Sequence, residues 1–145
     1  MTAPVLPYVP GAVRALLVAS SDFTSVVPAG RITTRAPADV TTPYVLVRSA
    51  GNAAPIDAAA GAWSPLVQVE GWAPASVAGD PEVVVWRIAA AAAAILARAR
   101  NVTHDSMSWS ARVTDGPLTD VDTSRGSSAP LYRAFVRAEL TLHAR

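Results

Sequence analysis

Hydrophobic and polar positions alternate with a period of two along four stretches of this chain and recur at helical spacing along two others. The alternating stretches predict strands with one covered face. In Tyr44 to Ser49, Val45 and Val47 fall on one side and Tyr44, Leu46 and Arg48 on the other; in Leu66 to Trp72, Val67 and Val69 point inward while Gln68 and Glu70 point out. From Ser106 to Val113 the inward set is Met107, Trp109, Ala111 and Val113, opposed by three serines and Arg112. The longest alternation runs from Leu131 to Leu142, with Tyr132, Ala134, Val136, Ala138, Leu140 and Leu142 on one face. Its other face carries Arg133, Phe135, Arg137, Glu139 and Thr141. Arg31 to Arg35 reads as a further, short strand.

The helical stretches have readable starts. Pro10-Gly11 opens a short amphipathic helix with the stripe Val13, Leu16 and Leu17, closing near Ser20-Ser21-Asp22. Asp80-Pro81-Glu82 opens a second, because Asp80 can cap free amides, Pro81 sits where its missing N–H costs nothing and Glu82 complements the helix dipole. That helix is expected to run to about Arg100, with Val84, Ile88 and Ile95 as its large apolar stripe, Ala89 to Ala94 as a smooth surface and Trp86 toward the core. Two segments read as long loops: Gly51 to Ala62, rich in Gly, Ala and Pro, and Gly116 to Pro130, longer than a hairpin connection requires. Trp63 ends the first of them. Strands with one wet face, interleaved with two helices, imply an α+β fold: a mainly antiparallel sheet of four to five strands with two helices packed on one face. At 145 residues, without an internal repeat or linker, the chain is expected to form one domain over residues 1–145.

Composition narrows the chemistry. The residues are 51% hydrophobic, yet much of that is alanine, and the most apolar run, Val83 to Ala97, is broken by Arg87 and flanked by charge. No membrane span is expected, and the prolines at 4, 7 and 10 without a basic start predict no secretory leader. There is no cysteine, which removes disulfides and thiolate metal sites. All twelve basic residues are arginine, scattered from Arg14 to Arg145 against eleven acids, for a net charge of +1. That spread lacks the basic stripe of a nucleic-acid footprint, so no specific DNA binding is expected. The two histidines are His104 and His143; His104-Asp105-Ser106 has triad residue types, but chain neighbours do not converge as a triad must, and the segment reads as a turn. Asp120 and Asp122 lack the third acidic ligand and turn glycine of a calcium loop. No metal or other cofactor is expected, and no enzymatic activity. A small hydrolase or ligand-binding domain using Gly51 to Ala62 as a lid is the rival from another class.

Several local patterns then occur in a telling order. Gly30-Arg31-Ile32, Pro43 to Arg48, Val67 to Ala73 and a late Asp120 to Arg133 loop leading into a long Tyr-Arg strand resemble the tail-terminator (tail-completion) proteins of long-tailed phages, over about Val13 to Leu142. The resemblance implies a small structural protein that forms a ring of six copies, caps the tail tube, ends its polymerisation and joins the tail to the neck of the head. Its partners would be other copies of itself, the major tail tube protein, the head-completion (neck) protein and, as a further candidate, the tape-measure protein. Its place would be the virion, after assembly in host cytoplasm. A head-side neck protein and a tube subunit are the alternatives within that class. The family carries no catalytic residues to transfer, and the alanine-rich second helix and proline-laden start of this chain depart from its pattern.

Contacts between copies or with partners are expected on the two long loops and the wet sheet face. The candidate residues are Asp120, Asp122 and Arg125 on the second loop, Arg133, Phe135 and Arg137 on the sheet, and Asn52 and Trp63 at the first loop. Cyclic rings need two different complementary patches on each copy, which favours such distributed surfaces.

Overall fold

The computed structural model describes residues 4–51, 54–57 and 59–144; Asn52 lies outside them. The fold is α+β. Helix α1 (Val9–Ala19) begins with Pro10 in its first turn and buries Val9, Ala12, Val13 and Leu17. Ser20 ends it and at once caps a one-turn helix, α2 (Ser21–Thr24), its hydroxyl accepting from the Phe23 amide at 3.3 Å. Phe23 is thereby driven into the core. A 3₁₀ turn at Ala29–Arg31 leads to β1 (Ile32–Thr33), followed by β2 (Tyr44–Ser49), β3 (Ala54–Asp57), β4 (Ala62–Ser64) and β5 (Leu66–Pro74). Helix α3 (Pro81–Ala97) starts as its sequence demands, with the Asp80 carboxylate accepting from the Glu82 amide at 2.9 Å. The chain closes with β6 (Val102–His104), β7 (Met107–Asp122) and β8 (Leu131–Ala144).

Among the described residues the sheet holds eight strands rather than four or five, and three α-helices stand where two were expected. Its path is β1-β2-β5-β8-β4-β3, with β7 on the other side of β8 and β6 beyond β7. β1 runs parallel to β2, and every other pair is antiparallel, so the sheet is mixed rather than purely antiparallel. β8 lies beside β5 from Leu131 to Glu139 and beside β4 at Leu142 and His143, so the sheet curls around its longest strand.

Both long loops are shorter than the sequence suggests. Gly51 to Ala62 contains β3, which pairs with β4 as a hairpin. Gly116 to Pro130 is strand as far as Asp122, which pairs with Leu131, and only residues 123–130 form the turn. Gly-Pro in a polar run normally ends a strand. Here Gly116 occupies a bulge: its φ is +95°, and a Cβ there would overlap the Phe135 carbonyl oxygen, so only glycine lets β7 continue past this point. His104 and Asp105 stand at the tight turn from β6 to β7, not at a turn out of the helix; Asp105 takes a left-handed φ of 51°.

The inward faces agree with the alternation. Val45, Val47, Val67, Val69, Met107, Trp109, Ala134, Val136, Ala138, Leu140 and Leu142 are buried in one core with α1, α2 and α3. Trp63 joins that core at 6% exposure, which corrects its reading as a loop-end contact residue. In α3 the buried stripe is Val85, Ile88, Ala89, Ala92 and Leu96, while Trp86 is 48% exposed, the reverse of the expected placement. Alanine on every side of this helix leaves its apolar stripe weakly marked in the pattern, so the large residues mislead. Gly71 on β5 decides how closely α3 lies: a Cβ there would stand 2.7 Å from Ile88 Cγ2.

Val136, fully buried between the sheet and α3, tests this register. Val136→Asp places an unpaired carboxylate in the core and is expected to cost on the order of 4 kcal/mol or more, abolishing soluble, cooperatively unfolding protein. Arg137→Ala, one residue along and facing the other way, should express and melt cooperatively; denaturant titration of the two variants checks the pair.

Candidate functional site

The face of the sheet turned away from the helices is where polar chemistry collects, and strand register builds it. Across β2, β5, β8 and β7 three rows of residues line up on this face. One row is Arg48, Gln68, Arg137 and Asp115; the next is Leu46, Glu70, Phe135 and Leu118; the third is Tyr44, Trp72, Arg133 and Asp120. The alternation predicts a solvated face here, with Gln68 and Glu70 facing out. They do lie on this side, yet Gln68 is 4% and Glu70 0% exposed, because neighbours on three strands close over them.

Glu70 is the hub. Its Oε2 meets Arg48 Nη2 at 2.8 Å and Arg133 Nη1 at 3.2 Å and accepts a short hydrogen bond from Gln68 Nε2; its Oε1 accepts from Trp72 Nε1 at 2.9 Å. A buried carboxylate is tolerated only with its charge paired and its lone pairs filled. Both conditions are met, by residues from β2, β5 and β8. Arg133 is shared, since its Nε donates to Asp120 Oδ1 at 2.9 Å and its Nη2 pairs with Asp120 Oδ2. The hydrogen bond to Asp120, ahead of the charge of Glu70, holds the Arg133 guanidinium protonated still more firmly than usual.

Aromatic rings splint the arginines. Arg133 lies over Trp72 at 5.4 Å and over Phe135 at 4.7 Å, and Arg137 lies over Phe135 at 5.2 Å. Tyr44 stacks parallel to Trp72 with centroids 6.0 Å apart, and Arg31 covers Tyr44 at 5.6 Å. Arg31 is anchored by the carbonyls of Asp39 and Thr42 at 2.9 and 2.8 Å. A ladder of guanidinium and ring thus runs across the face from the end of the 3₁₀ turn to β8. Planar guanidinium over a ring face is a favoured arrangement that lysine reproduces poorly. Burial, then the charge of Glu70, raises the Tyr44 hydroxyl above its ordinary pKa, so the phenol stays neutral.

Arg137 is the least committed member. Its Nε donates to Gln68 Oε1 at 2.8 Å, and among the described residues no carboxylate pairs with it, including Asp115, its register partner. Arg48 is half exposed at its outer end. Leu118, 48% exposed, stands beside Phe135 on the same face.

Of the residues singled out from sequence, Asp120, Arg133, Phe135 and Arg137 come together on this face. Phe135 is 9% exposed, lying under its two arginines rather than open to solvent. Asp122 and Arg125 border the Tyr44 end of this face at the β7–β8 turn, near enough for their charges to act on Tyr44; the Asp122 carboxylate accepts from the Ser124 amide at 2.8 Å, and that bond holds it below the usual carboxylate range. Trp63 belongs to the core, and Asn52 lies outside the described residues. The residues missed from sequence are Glu70, Arg48, Gln68, Tyr44 and Trp72; their signal was parity, since each occupies the outward position of its own strand.

A second exposed patch of different chemistry lies on the helix side. Asp80, Glu82, Val83 and Trp86 line one shallow depression at the start of α3, with Val83 51% and Trp86 48% exposed. Among the described residues no group of three His, Asp or Glu side chains stands close enough to hold a metal ion, and no helix is long and apolar enough to cross a membrane. No protein-family model matches the chain, and no curated protein matches it in sequence.

Removing the hub should be more damaging than its surface location suggests. Glu70→Ala leaves Arg48, Gln68 and the Trp72 N–H without their acceptor and Arg133 with Asp120 alone, and is expected to cost about 3 kcal/mol, whereas Glu139→Ala, on the same face with a long 3.4 Å pair to the largely exposed Arg112, should cost about 0–1 kcal/mol. Chemical denaturation of both variants measures the contrast.

Proposed function

We propose that this chain is a structural assembly protein of the tail-terminator type in long-tailed phages: a ring of copies, six in number, that caps the tail tube, stops its growth and joins the tail to the neck of the head. The observation that carries the proposal is the outer sheet face, where a buried carboxylate and ring stacking fix arginine side chains in place. Such a face makes contacts. Preorganised arginines and aromatics recur at protein interfaces because little side-chain freedom is left to lose on binding. The second exposed patch, acidic and apolar at the start of α3, supplies the different surface that a head-to-tail ring requires. The order of sequence patterns from Gly30 to Arg133 supports the family. Asp122 and Arg125 at the β7–β8 turn are proposed contacts to neighbours, and the tube protein, the neck protein and the tape-measure protein are the proposed partners, in the virion.

Electron microscopy of the purified chain tests the reading: closed rings with a central opening are expected. Open filaments favour a tube subunit instead, and a persistent monomer counts against both. Deleting the gene from the phage that encodes it is expected to leave overlong tubes or headless tails; intact, infectious particles would overturn the reading. A head-side neck protein would instead leave tails of normal length.

A ring through which a genome passes works best with a weak grip on phosphate. Net charge +1 and arginines already paired to Glu70 and Asp120 predict at most weak duplex binding that vanishes by about 0.15 M salt. Fluorescence anisotropy with labelled duplex checks this, and submicromolar binding at that salt would contradict it.

A further inference from the structure

Two exposed patches on opposite sides of the sheet have complementary chemistry. The first, at the start of α3, combines the carboxylates of Asp80 and Glu82 with the exposed apolar surfaces of Val83 and Trp86. The second, on the outer face, combines the outer ends of Arg48 and Arg137 with Leu118 beside Phe135. Arg137 has no carboxylate partner among the described residues, and its fork is fixed by Gln68 and Phe135. Among the described residues the Glu82 carboxylate accepts one hydrogen bond, from Thr119 at 3.4 Å. The first patch sets two carboxylates, and the second two guanidiniums with Asp115 at the edge of their row, next to exposed apolar surface, and neither can satisfy the other within one copy, because the sheet lies between them.

We infer that a second copy of this chain is the occupant of both: the start of α3 of one copy seats on the Arg48–Arg137 side of the outer face of the next, Glu82 and Asp80 meeting the guanidiniums while Trp86 covers Leu118. The inference rests on the ring reading above and names its joint. It is a heterologous contact, one patch against a different one, which is what a closed ring uses. Charge complementarity fixes its register, and the exposed Trp is the kind of anchor on which interface energy concentrates.

Charge exchange tests it. The full chain is prepared as wild type, Glu82→Arg, Arg137→Glu and the double variant carrying both, and assembly is followed by sedimentation velocity and native mass spectrometry, with thermal unfolding as the check on folding. Each single variant sets like charges face to face at every joint and should raise the concentration of half-assembly about tenfold or more. The double variant should assemble like wild type. So should an equimolar mixture of the two single variants, because alternating copies make every joint attractive; native mass spectra of that mixture should show the two chains in equal numbers. Trp86→Ala should weaken assembly without lowering the unfolding temperature. If wild type assembles and the single variants assemble equally well, or if folded single variants fail to be rescued by mixing, this joint is wrong while the ring stands. If wild type never assembles, the ring reading itself falls.

Discussion

A single buried carboxylate sets the terms for the sheet. Glu70 sits at the middle of β5 without solvent, and its charge is tolerable only because Arg48 from β2 and Arg133 from β8 reach it from either side while Gln68 and the Trp72 indole fill the remaining acceptor sites. All three strands must therefore hold one register. Because side chains alternate with a period of two, a one-residue slip of β5 would push Glu70 under α3 and turn Val69 to the outside. The apolar core and the polar cluster are specified by the same register and fail together.

The two sides of β5 also divide the packing labour. Toward the helices, Gly71 lets Ile88 descend against the backbone, and Ala89 and Ala92 keep the rest of α3 close, so few large side chains are needed to exclude water. Away from the helices, rings and arginine stems take over that work: Tyr44, Trp72 and Phe135 are covered by Arg31, Arg133 and Arg137, whose carbon stems bury apolar surface while their forks stay at the rim. Long arginines can thus do for the outer face what a second layer of helices does in other folds. A chain without a single lysine suits the arrangement, since an ammonium cannot lie flat on a ring or bind a carboxylate through a fork.

What could be read from the sequence was what local pattern controls. The start of α3 followed from Asp80-Pro81-Glu82, and the inward faces of β2, β5, β7 and β8 followed from strict alternation of Val, Ala, Leu and Trp against Arg, Ser and Glu. What could not be read depended on partners distant in sequence. β3 and β4 lie in an Ala-Gly-Pro stretch with no alternation to mark them, and the far half of β7 hid behind Gly116-Pro117, where the bulge is fixed by the Phe135 carbonyl on the opposite strand. Trp86 was misplaced because an alanine-rich helix presents several nearly equivalent apolar faces. Glu70 looked like an ordinary solvated strand residue because burial of a charge is decided by arginines 22 residues before and 63 after it; only the register brings them together. Four members of the candidate site, Asp120, Arg133, Phe135 and Arg137, were legible as residues, but its organising carboxylate was not.

The way Glu70 is ligated also bears on what the face is for. A carboxylate acting on a bound molecule needs a lone pair aimed at that molecule and room for it to approach. Glu70 has neither: four donors converge on its two oxygens, and none of its surface meets solvent. Its effect is transmitted outward instead. By pinning Arg48, and through Gln68 the Nε of Arg137, it holds two guanidiniums of one row whose free ends have fixed spacing and direction. A flexible arginine gives up rotamer freedom each time it makes a contact, and that loss commonly cancels the gain of a surface ion pair. Arginines already stacked and bonded have lost that freedom on folding, so a later contact at their free ends retains more of its energy. The buried charge is costly to desolvate, and in return it leaves at the surface arginine ends fixed in one geometry.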